Sequence, residues 1–289
     1  MKTIKIVSVC MALMMSASLF AQTEVKDQLT VPLSEPGKPY KLNVDLLNGS
    51  IKVIGYEGKD IVIDVQSGSE KTKKNGTTVN VNINLNGHTE NASSSGMKRI
   101  DGVKGIDVTA QEKNNKVTVN TESWKGAITL TIKVPQTAGS TYKLESTNDG
   151  DITVSNVNGE LEVSNVNGAI KLTDVSGSVV ANTTNGSVIA NLKSIDPKAA
   201  MAFTTLNGNV DVTFPASLKA NMKLKSERGE MFTDFDIEAD KTQPKVNKTA
   251  KEGMYRLNVD EWVYGKIAGG GPEMMMKNMN GNIYIRKAK

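Results

Sequence analysis

Residues 148–191 read NDGDITVSNVNGELEVSNVNGAIKLTDVSGSVVANTTNGSVIAN. Glycine recurs in this stretch at Gly150, Gly159, Gly168, Gly177 and Gly186, every nine residues. Counted from each glycine, apolar residues fall at plus two, plus four and plus seven: Ile152, Val154, Val157; Leu161, Val163, Val166; Ile170, Leu172, Val175. Positions two and four share one side of a strand, because strand side chains alternate with period two. A helix needs spacings of three and four throughout, so helix is excluded. The turn between units is carried by Asn158-Gly159, Asn167-Gly168, Gly177 and Asn185-Gly186, where Gly takes positive φ freely and Asn tolerates it.

A single nonapeptide is one short strand and one turn. It cannot bury its own apolar face, but stacked copies bury it together. Two nonads per turn give an all-β parallel β-helix or β-solenoid of about 18–22 residues per coil. Residues 18 apart are then expected above one another: Ile152 below Ile170 below Val188, and Asn167 below Asn185, whose amides can hydrogen-bond along the stack. The competing reading of the Asn-Gly pairs is a meander of hairpins.

Outward from this block the pattern loosens. Asn48-Gly49 and Asn207-Gly208 repeat its turn, as does Asn280-Gly281 near the end. Gly208 and then Gly229 are expected to continue the coils at slightly longer spacing. Residues 77–86, TTVNVNINLN, alternate as a half-buried strand. Residues 1–21 read as a signal peptide: Lys2 and Lys5, an apolar run, then small residues before Gln22. The only cysteine, Cys10, lies inside it. Residues 22–39 form a lead-in segment expected to be irregular because of Pro32, Pro36 and Pro39. Residues 40–140 are expected as irregular N-terminal coils with an exposed loop at 87–105, and 141–289 as the regular solenoid with a C-terminal cap. The polar stretch 236–253 reads as a loop.

The motifs DGDITV, VNGELEV and VNGAIKL, with ITLTIKVP before them and GGG and MNGNIYIRK after them, resemble the adhesin-like DUF4097 family. The resemblance spans roughly residues 40–289, and the ending is similar to that of Bacteroidota members. It implies an exported β-solenoid in the periplasm or on the surface of a Gram-negative bacterium, and brings no catalytic residues with it.

The charge balance excludes a nucleic-acid footprint. Setting aside Lys2 and Lys5 leaves 33 basic residues against 31 acidic, interspersed along the chain. No stretch after the signal reaches membrane-span length. Nonapeptide repeats that bind calcium carry inward Asp, whereas Ile152, Leu161 and Ile170 stand at those positions here. His88 is alone, and Trp124 and Trp262 read as edge anchors. No catalytic residue, metal or cofactor is therefore expected. Two alternatives deserve tests. Glu160 and Glu162 share a strand face roughly 7 Å apart, a spacing used by glycoside hydrolases. Met274, Met276 and Met279 offer soft thioethers for Cu(I). The leading expectation is a non-enzymatic envelope module that contacts an envelope protein or polysaccharide through outward columns, Thr153, Lys171 and Ile189 in one and Glu162 and Val180 in another.

Overall fold

The computed structural model of the chain describes residues 26–67, 107–121, 126–239, 246–251, 254–259 and 262–289. The signal reading of 1–21, the strand at 77–86, the loop at 87–105, His88 and Trp124 lie outside them. Among the described residues every regular element is a strand. In chain order these are β1 (Lys26–Val31), β2 (Lys41–Tyr56), β3 (Ile61–Ser67), β4 (Val108–Lys113), β5 (Lys116–Thr121), β6 (Ile128–Pro135), β7 (Ser140–Asn148), β8 (Ile152–Ser155), β9 (Asn158–Asn167), β10 (Ile170–Asn185) and β11 (Val188–Ile195). They continue as β12 (Met201–Asn207), β13 (Val210–Phe214), β14 (Ala220–Ser226), β15 (Met231–Thr233), β16 (Ile237–Ala239), β17 (Val246–Lys251), β18 (Met254–Val259), β19 (Val263–Ile267), β20 (Glu273–Asn280) and β21 (Ile283–Lys287).

The strands pair as two parallel ladders. Face one stacks β5, the first half of β2, β7, β9, the second half of β10, β12, β20 and β14. Face two stacks β6, the second half of β2, β8, the first half of β10, β11, β13, β21 and β15. Because β2 and β10 run from one face to the other, the whole is one 19-stranded sheet. Antiparallel strands close the ends: β4 on β5, β3 and β1 beyond β6, and β19 and β16 beyond β14. β17 and β18 form a separate hairpin. Parallel pairing within the block rules out the meander.

The core lies between the faces. In β2 the buried positions switch from Leu42, Val44 and Leu46 to Ile51 and Val53. That change from even to odd marks the corner at Asn48-Gly49, where Gly49 has φ of 131°. Ile152, Ile170 and Val188 are in register and buried. Phe203 and Phe214 meet edge to face across the core at 6.2 Å, and Tyr40 meets Tyr142 the same way at 5.8 Å.

Three features differ from the sequence reading. Within the lead-in segment, Lys26–Val31 is a strand on the edge of β3, since the prolines begin only at Pro32. The stretch 236–253 holds β16 and β17. The stack also departs from chain order. Gly281, not Gly229, lies against Gly208, and Gly229 lies against Gly281. The strand pair β20–β21 thus inserts between β12–β13 and β14–β15. Spacing along the chain does not say which copy fills which slot; the difference lies in the residue before the glycine, Asn280 extending the stack from Asn207 and Arg228 ending it.

Candidate functional site

The nine-residue period resolves into two corners used alternately. Gly150, Gly168, Gly186, Gly208, Gly281 and Gly229 line one corner in that spatial order. A Cβ built on any of these, Gly150 to Gly229, would come within 1.7–2.3 Å of backbone of the previous glycine. Gly177 lies on Gly159 at the other corner in the same way. Glycine is required here by close backbone approach.

The Asn before each of Gly168, Gly186, Gly208 and Gly281, with Asn148 ahead of Asp149-Gly150 at the first turn, forms an amide ladder. Asn167 Nδ2 donates to Asn148 Oδ1 at 3.3 Å, Asn185 to Asn167 at 2.8 Å, Asn207 to Asn185 at 2.8 Å, and Asn280 to Asn207 at 2.7 Å. Arg228 then donates to Asn280 Oδ1 at 3.5 Å. Asn167, Asn185, Asn207 and Asn280 each donate one way and accept from the other, so the ladder is polar along its length.

A second ladder runs inside. Asn165 Nδ2 donates to Gly150 O at 2.9 Å, Thr183 Oγ1 to Gly168 O at 2.9 Å, Thr205 Oγ1 to Gly186 O at 2.7 Å, and Asn278 Nδ2 to Gly208 O at 3.3 Å. Ser146 and Ser226 do the same to Gly49 O and Gly281 O. These side chains account for most of the buried polar residues of the core. The sequence did hold a signal for them: a Ser, Thr or Asn three residues before every second glycine from Gly168 on. A nine-residue frame hides it, because the period of this feature is two nonads. The same alternation explains the plus-seven positions. Val157 and Val175 are buried, whereas Val166 is 40% exposed because Asn165 takes the inward place beside it.

The predicted outward columns fall as follows. Thr153, Lys171 and Ile189 stand in register on β8, β10 and β11. Lys52 precedes them and Asp211, Tyr284 and Phe232 follow. Lys171 donates to Asp151 at 2.6 Å. On face one, Lys143, Glu162, Val180 and Ala202 are in register. Val180 and Ile189 are each 44% exposed.

The sequence reading missed an aromatic pair at the surface, exposed Phe232 on half-buried Tyr284. Phe232 stacks on Tyr284 at 5.3 Å and 11°, with Arg286 over the Tyr284 ring at 5.0 Å. Arg286 also grips Asp211 with two bonds of 2.7 and 2.9 Å, which raises its pKa above the usual guanidinium value. The partners sit 75 residues apart in the chain, so no local signal exists.

Glu160 and Glu162 both lie exposed on β9, and Glu162 comes within 3.7 Å of Lys143. The thioethers are divided: Met274 and Met276 are fully buried, whereas Met279 is partly exposed on the opposite side of β20. Trp262 holds Lys223 over its ring at 4.9 Å. No cluster of three or more His, Cys, Asp or Glu occurs among the described residues.

No protein of curated function matches the chain. Among solved structures it is similar to that of a candidate cell adhesion protein from Clostridium sporogenes ATCC 15579, with 11% identity and a TM-score of 0.49 over 92% of this chain and 100% of that one. It is also similar to a candidate adhesin from Bacteroides fragilis NCTC 9343, with 10% identity and a TM-score of 0.37 over 93% and 98%. Residues 8–261 match the family profile Toastrack DUF4097, the greater part of the 289-residue chain with all of its nonapeptide block, and the chain belongs to that family.

Proposed function

We propose that the chain is an exported, non-enzymatic interaction module of the bacterial cell envelope, built as a β-solenoid of about 18–22 residues per coil. One observation carries this reading: outward side chains stand in register on successive strands, Thr153, Lys171 and Ile189 among them. Adjacent strands place such side chains about 4.8 Å apart on an extended surface. That surface suits an extended partner, an envelope protein or a polysaccharide, held by many weak contacts whose effects multiply. The inner ladders supply what the surface needs, a backbone held at fixed spacing.

The test is fractionation and crosslinking of a tagged chain in a Gram-negative host. The double variant Lys171→Glu, Glu162→Lys reverses one charge on each face. It is expected to shift the protein from the envelope pellet to the soluble fraction and to remove crosslinked partners. Unchanged retention and an unchanged crosslink pattern would overturn the reading.

A further inference from the structure

One feature of the stack opposes its own stability. Lys113 on β4 is in register with Lys116 on β5, and Lys116 with Lys41 on β2. All three are exposed on the outer side of face one. Like charges directly opposite on neighbouring strands are destabilising. Here three stand in a row, about 4.8 Å from strand to strand. None makes an ion pair among the described residues. In the same column beyond Lys41 come Thr141 and only then Glu160.

The local acid does not relieve them. Glu112 precedes Lys113, but alternation puts its side chain on the other side of β4. There its carboxylate accepts from the Ser34 hydroxyl at 2.6 Å, the Ser34 amide at 3.2 Å and the Asn115 amide at 2.9 Å. Those bonds hold its pKa below the usual carboxylate value, the Ser34 hydroxyl contributing most. Asn115, nearly buried, fastens the turn: its Oδ1 accepts from the Glu35 amide at 3.0 Å and its Nδ2 donates to Pro39 O at 3.0 Å. The hairpin is thus anchored from behind and presents its lysines forward. They line an open depression of about 450 Å³ together with Gln111, Asn114 and Thr118.

We infer that this end of face one binds an anionic polysaccharide, with Lys41, Lys113 and Lys116 meeting its carboxylates and Gln111, Asn114 and Thr118 its hydroxyls. Three cations at strand spacing match an acidic polymer with evenly spaced charges. Nucleic acid fits less well: no aromatic ring or arginine lines the depression to stack on a base, and the chain carries a net charge of only +4. The proposal does not rest on the envelope reading, since it concerns the isolated protein and a different set of residues.

The test measures binding of the full chain to sodium polygalacturonate, with dextran and duplex DNA as comparison polymers, at low and at physiological salt. Wild type is expected to bind polygalacturonate, to lose affinity as salt rises, and to ignore dextran. The triple variant Lys41→Gln, Lys113→Gln, Lys116→Gln is expected to weaken binding at least about tenfold. It should melt no lower than wild type, because a like-charge row has been removed. The triple Lys→Arg variant, which keeps the charge, should retain binding. The proposal is overturned if wild type does not bind polygalacturonate or if the Gln variant binds as well as wild type. It is also overturned if the Arg variant loses binding, or if duplex DNA binds as tightly as the acidic polysaccharide.

Discussion

Gly168→Ala tests whether close packing of glycine backbones sets the spacing of the stack. A methyl group there would lie 1.9 Å from Gly150 O and 2.7 Å from Asn165 Nδ2. Contacts below 3.0 Å are not sustained, so the stacked backbones of Gly150 and Gly168 must separate by more than an ångström. The same displacement breaks the 2.9 Å bond from Asn165 Nδ2 to Gly150 O and strains the 2.9 Å bond from Gly168 N to Asn185 O. Overpacking costs about 1–3 kcal/mol. Leaving a buried polar partner unsatisfied adds about 1–3 kcal/mol. A loss of about 4 kcal/mol follows, a large share of the stability of an ordinary domain. The control is Gly37→Ala. Gly37 has φ of 83° but nothing within 4 Å of the added carbon, so only the left-handed backbone penalty of about 1–2 kcal/mol remains. Urea unfolding followed by far-ultraviolet circular dichroism gives both values by linear extrapolation. If Gly168→Ala costs no more than Gly37→Ala, glycine contact is not what fixes the spacing of the stack.

Two further predictions follow from the ends of the stack. Tyr40 donates to Pro135 O at 2.7 Å and shares a 2.8 Å hydroxyl contact with Tyr142; burial above all pushes both phenols up from their usual pKa. The unfolded chain therefore releases these protons first, and stability should be flat at neutral pH and fall above about pH 10. Tyrosinate absorbance from the pair should arrive together with loss of the sheet signal; the Tyr40→Phe, Tyr142→Phe variant should lack that component, and its persistence would refute the assignment. Deleting residues 273–289 removes β20 and β21, which are sandwiched between β12–β13 and β14–β15. Limited proteolysis should then cut within 220–239 while the stack up to residue 214 stays protected; protection of 220–239 would contradict the inserted arrangement.

The block at 148–191 was readable because its determinants are local. A Val, Ile or Leu at plus two and plus four defines a buried strand side wherever it occurs. The 18-residue register of Ile152, Ile170 and Val188 follows from repetition alone. Asn185 on Asn167 was readable for the same reason. What was not readable depends on choices among equivalent copies. Asn280 bonds to Asn207 across 73 residues, and Arg286 to Asp211 across 75. Spacing alone does not say whether Gly229 or Gly281 follows Gly208; the one local difference is that Asn280 precedes Gly281 where Arg228 precedes Gly229. The lysine row had the same obstacle. Lys113 and Lys116 flank one turn, but Lys41 joins them only because β2 pairs in parallel with β5.

Both ends of the stack solve one problem in the same way. A stack built in strict chain order would leave its first and last strand pairs on the outside, free to fray and to pair with other chains. Here β2 lies between β5–β6 and β7–β8, and β20–β21 lies between β12–β13 and β14–β15. The first and last parallel strands in sequence, β2 and β20–β21, are therefore interior. The outermost positions go to intervening segments, which close the ladders with antiparallel or short strands such as β4, β16 and the three-residue β15. Such tying requires contacts between distant residues, which slows folding. It also separates two requirements. Interior layers must keep glycine and the inward polar residue in place, so their surfaces vary only in the outward columns. The antiparallel closing strands β4 and β16 carry no such repeat and can hold side chains that the stack itself does not favour. Lys113 and Lys116 are on one of these closing hairpins. If the row of lysines served packing, replacing it should cost stability; if it serves a ligand, replacement should cost binding alone.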